Sequence, residues 1–196
     1  DHYGMDVAFY SMGGLNLLAF LVAILFLPGI KQGKALSYPH SSFKEMGASN
    51  MVKGLFSYRL SFALGRAAFS CFLPIFATIY MDLTPTLIGM LLAINIVLMS
   101  LIQLYSGGLA DRFSRRILVV LGGIISFSFL AALPLMHNFW QLLGLCIFGA
   151  IGGSISMPAA SALTVDEGRK FGMGATMAMF AVAMSIGMAI GPILGG

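Results

Sequence analysis

The sequence predicts an all-α integral membrane protein, a helical bundle with about six transmembrane helices. Hydrophobic residues make up 59% of its 196 residues and charged residues only 9%, whereas a soluble domain is about 45–50% apolar and about 25% charged. A domain of this size exposes too much surface to hide that apolar content from water. A membrane span needs about 20 apolar residues, and six stretches qualify: residues 7–27, 55–80, 87–107, 117–135, 139–163 and 172–196.

Basic residues lie on one side of these spans. The chain has 11 lysines and arginines; Arg59 and Arg66 fall within the second span, and the other nine fall in alternate links. The intervening links hold none. Because short loops rich in lysine and arginine stay in the cytoplasm, links 29–53, 108–116 and 164–171 are predicted to be cytoplasmic. We expect a multi-pass protein of a plasma membrane, specifically a bacterial inner membrane.

Local signals mark several element ends. Residues 29–53 form the one long link, which is basic, holds Gly, Ser, Pro and His, and is typical of a linker between two membrane units. A short surface helix is predicted over residues 42–46. Thr84 followed by Pro85 predicts an N-cap and a first helical residue. Pro74 predicts a bend in the second span.

A short polar segment, GGLADRFSRR, separates the third and fourth spans. Its two leading glycines allow close backbone approach at the membrane edge. An acid among arginines favours a charge-assisted hydrogen-bond cluster. The alternative is an anchor that follows the positive-inside rule and contains an incidental acid. The spacing Gly107-x-x-x-Asp111-Arg112-x-Ser114-Arg115-Arg116 resembles the G-x-x-x-D-R-x-G-R-[RK] signature of the major facilitator superfamily.

This resemblance implies a fold of twelve helices in two six-helix halves, of which about six are present here. In that family the signature links helices two and three, and a weaker copy links helices eight and nine. Ser114, where glycine is usual, favours the weaker copy. By resemblance, the loop helps to hold the inward-closed state, and its gating residues are Gly107, Asp111, Arg112, Arg115 and Arg116.

A second segment, GMAIGPILGG at residues 187–196, resembles the G-x-x-x-G-P-x-x-G-G element of the same family. Small residues recur every four positions in this segment, which lets membrane helices pack closely. Pro192 removes one helical hydrogen bond and can bend the span. Gly187, Gly191 and Pro192 are therefore candidates for conformational gating. The alternative is ordinary tight helix packing with no moving part.

The resemblance also implies a position within the family's order of helices. A span and a long basic link precede the other five spans, and the fifth span lacks the arginine that the family's fourth helix usually carries. We therefore interpret residues 1–28 as helix six, residues 29–53 as the central cytoplasmic linker and residues 54–196 as a C-terminal half truncated before its last helix. The N-terminal half of the same chain is the expected partner.

Polar side chains within the spans are candidates for contact with cargo, since ionisable groups in hydrocarbon are costly and usually face a cavity. Arg59 and Arg66 are seven residues apart, two turns along one helix face. Arg59 can snorkel, whereas Arg66 lies too deep to reach the interface easily and either lines a central cavity or forms a salt bridge with an acid of the missing half. Asn16, Asn95 and Gln103 either bind cargo or join helices by hydrogen bonds.

Several functions are disfavoured. The three histidines have no metal-ligand spacing, no Ser/His/Asp set lies in the spans, and no phosphate-binding loop is present. We expect no enzyme, no metal, no cofactor and no nucleic-acid partner. The predicted function is secondary transport of small molecules by alternating access across the bilayer, with proton-coupled export of drugs or amphipathic metabolites as the favoured form. The alternative is a non-transporting membrane scaffold or sensor with a transporter-like fold.

Overall fold

The computed structural model describes residue 10, residues 13–19 and residues 43–195. The chain divides into two units, Asp1–Ser37 and Tyr38–Gly196. In the first unit the described residues are helical, and residues 13–19 form helix α1. Most of the predicted first span, residues 7–27, and most of the predicted linker, up to residue 42, lie outside the described residues.

The second unit is a bundle of helices. Five of them, α3 to α7, are long and apolar enough to cross a membrane, and the described residues contain no strand. The predicted all-α membrane bundle is therefore confirmed. The elements are α2 (Phe43–Ala48), α3 (Asn50–Met81), α4 (Pro85–Arg112), α5 (Arg115–Ala132), a 3₁₀ turn (Leu133–Leu135), α6 (Phe139–Phe171) and α7 (Met173–Gly195).

The helix ends follow local chemistry. Ser49 is the N-cap of α3, and its hydroxyl accepts a hydrogen bond from the Val52 N–H at 3.5 Å. Asp82 ends α3 in the left-handed conformation, with φ 48°. Thr84 is the N-cap of α4 and Pro85 its first helical residue, as predicted, although the Thr84 side chain makes no capping hydrogen bond. The start of α3 is thus marked by a capping serine and the start of α4 by a proline.

The predicted linker 29–53 ends earlier than expected. Helix α2 occupies the place of the short helix predicted over residues 42–46 and buries Met46 completely. Helix α3 begins at Asn50, so the last four residues of the predicted linker belong to the first long helix of the bundle.

The two other basic links are shorter than predicted. Helix α4 continues to Arg112, so Phe113 and Ser114 alone separate it from α5, in place of a loop over residues 108–116. Helix α6 continues to Phe171, and Gly172, with φ 96°, replaces the predicted link 164–171. A helix of 33 residues is about 50 Å long, whereas the hydrocarbon core is about 30 Å thick. Hydropathy therefore marks the end of the apolar stretch and not the end of the helix.

Glycines bring α7 against α3. A Cβ atom added at Gly187 would lie 2.5 Å from the Leu60 carbonyl oxygen, and one at Gly191 would lie 2.6 Å from the Leu64 carbonyl oxygen. Ala183, one turn before, is fully buried. The predicted stripe of small residues thus serves close helix packing, which depends on side chains this small.

Helix α6 packs against both α4 and α5. A Cβ atom at Gly122 of α5 would lie 2.6 Å from the Gly152 carbonyl oxygen and 2.5 Å from Ser156 Cβ. On the other side of α6, the Ser106 hydroxyl of α4 donates to the Ser154 carbonyl oxygen at 2.6 Å. Small residues and interhelical hydrogen bonds together hold this part of the bundle, as expected where lipid provides little hydrophobic driving force.

Two ends of the bundle differ in character. We call the end where α3, α5 and α7 begin and α4 and α6 end the basic end, because Lys53, Arg116 and Lys170 lie there. Towards the opposite end, side chains of α3, α4, α5 and α6 form an apolar core. It includes the edge-on ring pair Phe69–Phe129, with centroids 5.1 Å apart. The interior between this core and the basic end holds the cavity described next.

Candidate functional site

A cavity of about 190 Å³ lies between α3, α4, α5 and α6. Its walls combine small residues with aromatic rings, and two strongly polar side chains border it, Arg66 of α3 and Asn95 of α4. A site of this kind, apolar with a few convergent polar groups, is the usual form of a ligand pocket. Of the predicted cargo-contacting residues, the structure brings these two together.

Arg66 has a weak partner in the described bundle. Its Nη1 lies 3.8 Å from the Met99 sulfur of α4, and thioether sulfur is a poor acceptor. The ion pairs among the described residues join Arg115 to Asp166 and Lys170 to Glu167, and neither includes Arg66. Its guanidinium therefore borders the cavity without an acidic neighbour in this part of the chain.

Arg59 lies outside the cavity lining and joins three helices. Its Nη2 donates to the Ser161 hydroxyl of α6 at 3.2 Å, and its Nη1 lies 3.7 Å from the Met184 sulfur of α7. Its Nε is buried and has no hydrogen-bond partner among the described residues. Arg59 is therefore held within the bundle, one side chain among α3, α6 and α7.

The predicted amides separate into different settings. Asn95 is buried, and its Nδ2 donates to the Cys146 carbonyl oxygen of α6 at 2.8 Å. Gln103 is half-buried on α4 but does not border the cavity, and Asn16 is exposed on α1 in the first unit. The predicted grouping of Arg66, Asn95 and Gln103 is thus met only by the first two. Asn95 combines both roles considered for it, because it joins two helices and borders the cavity.

Replacing Asn95 by leucine tests its role as a helix joint. We expect the free energy of unfolding to fall by about 0.6 kcal/mol, the average for a hydrogen bond between membrane helices, and by no more than about 1.7 kcal/mol, because the bond to Cys146 is lost. Thermal unfolding of the purified protein in detergent measures this. Ser100→Leu on the same helix is the control, since its hydroxyl is exposed and bonds only within its own helix. Equal stability of both variants would contradict the joint.

A charged cluster lies at the basic end. Arg115 at the start of α5 donates from Nη1 to Asp166 Oδ2 of α6 at 2.5 Å and from Nε to the Ala110 carbonyl oxygen at 3.4 Å. Glu167 of α6 is almost fully buried and accepts from Lys170 Nζ at 2.6 Å. Helix α5 is thereby tied to the end of α6 by a charge-assisted bond.

Sequence reasoning missed the two acids of this cluster. Asp166 and Glu167 fell in a segment predicted to be a link, where acids are ordinary solvated residues. The sequence alone contained no signal for the contact of Asp166 with Arg115, because it depends on how α5 and α6 pack. Among the predicted gating residues, Arg112 and Arg116 are exposed, and Asp111 lies in the last turn of α4.

The glycines of the predicted loop lie in a helix. Gly107 and Gly108 belong to α4, and a Cβ atom added at either would meet nothing within 4 Å in the described structure. The close backbone approach expected there is therefore not present, because continuous helix replaces the turn. Whether Gly107 takes part in gating stays a prediction, as it does for Gly187, Gly191 and Pro192. Within the described residues, no group of three potential metal ligands occurs.

A comparison with known families decides the family. The model described as Major Facilitator Superfamily matches residues 55–196, which include all five membrane-spanning helices apart from the first turns of α3. The chain belongs to the major facilitator superfamily. The predicted membership of this superfamily is thereby confirmed, and the five long apolar helices support a multi-pass membrane protein.

Two curated relatives are similar to the chain over part of their length. The chain is 27% identical over 207 residues to "Uncharacterized MFS-type transporter MJ1560" of Methanocaldococcus jannaschii, an alignment that covers 98% of this chain and 51% of that protein. It is 28% identical over 109 residues to "Multidrug resistance protein MdtH" of Klebsiella pneumoniae subsp. pneumoniae, covering 56% of this chain and 27% of that protein. The chain thus spans about half, or less, of the length of these relatives. No solved structure matches it.

Proposed function

We propose that this chain forms the C-terminal half of a secondary transporter that moves small molecules across a bacterial inner membrane by alternating access. The observation that carries the proposal is the cavity bordered by Arg66 and Asn95 within an apolar, membrane-spanning bundle. In such transporters the cargo site lies between two halves that rock about it. The two halves alternately open the site to each side of the membrane.

The charge cluster at the basic end supports a part in this motion. The bond from Arg115 to Asp166 ties the start of α5 to the end of α6, and both side chains remain partly exposed. A bond of this kind is weak enough to form in one state and break in the other. We propose that Arg115, with Asp111, Arg112 and Arg116 around it, favours the state in which the transporter is closed to the cytoplasm.

We also propose that proton exchange drives export of drugs or amphipathic metabolites. The name of one set of relatives, multidrug resistance protein MdtH, motivates the choice of drugs as cargo. The acidic residues described in the bundle lie near helix ends: Glu45 in the first turn of α2, Asp82 after α3, Asp111 in the last turn of α4, and Asp166 and Glu167 near the end of α6. A proton-carrying carboxylate near the midplane would therefore come from the other half of the protein.

The test is flux through the full-length protein in proteoliposomes with an imposed pH gradient. We expect a cargo of the multidrug type, for example a fluorescent dye, to move against its gradient and to stop when an ionophore collapses the pH difference. Flux that ignores the pH gradient would overturn proton coupling alone. No flux for any compound tested would overturn transport and favour a membrane scaffold.

Exchanging the charges of the Arg115–Asp166 pair tests whether this ion pair favours the state closed to the cytoplasm. Arg115→Asp places two acids together and is expected to change the transport rate by up to about fivefold, since an exposed pair of this kind contributes about 0.2–1 kcal/mol. The double variant Arg115→Asp/Asp166→Arg restores the attraction and should recover the original rate. Arg169→Ala, an exposed residue on the same helix end, is the control. A double variant whose transport rate stays at that of Arg115→Asp would contradict this role of the ion pair.

A further inference from the structure

We propose that the cargo of this cavity is a small organic anion, an aromatic carboxylate that places its acid group at Arg66 and its ring among the apolar walls. The inference rests on the transport function proposed above and names the chemical class of the cargo. Four observations carry it: the state of Arg66, the second cation at Arg59, the positions of the acids and the character of the cavity walls.

Arg66 presents a cation that the described structure leaves without a counter-charge. An arginine guanidinium stays protonated in proteins and offers five N–H donors. The Arg66 guanidinium reaches the Met99 sulfur at 3.8 Å, a weak acceptor that a carboxylate would readily displace. A charge within a membrane-spanning bundle is costly unless a partner compensates it. A cargo carboxylate supplies that partner, with the bidentate geometry that arginine favours.

Arg59 repeats the pattern closer to the basic end. It lies seven residues before Arg66, about 10 Å along α3, and one of its two nearest acceptors is again a thioether, Met184. Its buried Nε has no partner among the described residues. Two guanidinium groups with unused donors therefore follow one another along α3. Arg59 offers a second binding position to an anion that leaves Arg66 towards the basic end.

The positions of the acids make the middle of the bundle electropositive. The acidic residues of the described bundle lie near helix ends, and two of them, Asp166 and Glu167, are already paired. Low-dielectric walls strengthen the field of the two arginines. Such a field attracts an organic anion and repels an organic cation of the same size, so charge alone selects the class of cargo.

The cavity walls and volume select a ring. Aromatic side chains line it from α3 and α5: Tyr58, Phe62, Phe69, Phe127 and Phe129. An apolar cavity of about 150 Å³ holds a benzene molecule, and this cavity measures about 190 Å³. The walls therefore accommodate one aromatic ring with a short acidic group. Benzoate is the smallest probe with this chemistry.

The experiment compares benzoate with two matched compounds, neutral benzamide and cationic benzylamine, on the full-length protein. Binding is measured by the rise in unfolding temperature in detergent and by radiolabelled uptake into proteoliposomes. We expect benzoate to bind at least tenfold more tightly than either matched compound. Arg66→Gln should reduce benzoate binding at least tenfold, and Arg66→Lys should recover part of it. Arg169→Gln, an exposed residue of α6, is the matched control and should bind like the unmodified protein.

Each other outcome has a definite meaning. If benzylamine or benzamide is bound or moved as well as benzoate, the anion class is wrong and transport stands. If Arg66→Gln lowers the unfolding temperature of the empty protein and leaves benzoate binding unchanged, Arg66 pairs with an acid elsewhere in the protein, which overturns the inference. If benzoate and a cationic dye such as ethidium both fail to move, the proposed transport function falls, and the inference falls with it.

Discussion

Replacing Gly187 by leucine is expected to force α7 away from α3 and to lower the free energy of unfolding by about 1–3 kcal/mol, the usual cost of overpacking. The first atom of any side chain at this position would lie 2.5 Å from the Leu60 carbonyl oxygen and 2.8 Å from Ala63 Cβ. Both belong to the neighbouring helix, so a change of rotamer gives no relief. Thermal unfolding in detergent, followed by tryptophan fluorescence or light scattering, measures the loss.

Gly144 provides the matched control. It is also a helical glycine, but it is exposed, and a Cβ atom added there meets nothing within 4 Å. Gly144→Leu should leave stability unchanged or raise it slightly, since glycine is a poor helix former. Unfolding of both variants at the same temperature would show that α7 does not depend on close contact with α3.

Replacing Lys170 by methionine is expected to destabilise the protein by about 1–3 kcal/mol or more, the cost of leaving a buried acceptor without its partner. The Glu167 side chain is only 5% exposed, and Lys170 Nζ lies 2.6 Å from its Oε1. Without that ammonium, the buried carboxylate loses this hydrogen-bond donor. Chemical unfolding of the purified variant measures the loss.

The double variant Glu167→Gln/Lys170→Met isolates the charge. Because the neutral amide at residue 167 no longer needs a counter-ion, we expect the double variant to be more stable than Lys170→Met alone. If the stability losses of Glu167→Gln alone and Lys170→Met alone add up to the loss of the double variant, the pair contributes nothing beyond its separate side chains.

The fold was largely predictable because hydrocarbon imposes a simple requirement on composition. Helices α3 to α7 follow from apolar length alone, and the start of α4 follows from the Thr84-Pro85 pair. The short links were not predictable in this way. A helix satisfies its own backbone hydrogen bonds in water and in lipid alike, so the polar ends of α4 and α6 stay helical where hydropathy suggested loops.

The candidate site was predictable in part. Arg66 and Asn95 could be singled out because strongly polar side chains are rare within apolar spans. Their proximity depends on how α3, α4 and α6 pack, which one sequence does not reveal, and Gln103 accordingly fell outside the cavity. The acids Asp166 and Glu167 were not predicted as part of the site, for a related reason. They fell in a predicted loop, and nothing in the sequence placed them against α5 or within the bundle.

The single-residue junction at Gly172 has a mechanical consequence. The single residue between α6 and α7 can act as a hinge through its two backbone torsions. It is too short to let either helix slide along its axis relative to the other. Its φ of 96° lies in a region that residues with a side chain rarely adopt, so this junction requires a glycine. A tilt of α6 is therefore expected to move α7 with it. Because α7 packs closely on α3 at Gly187 and Gly191, the movement would also reach α3, which carries Arg59 and Arg66.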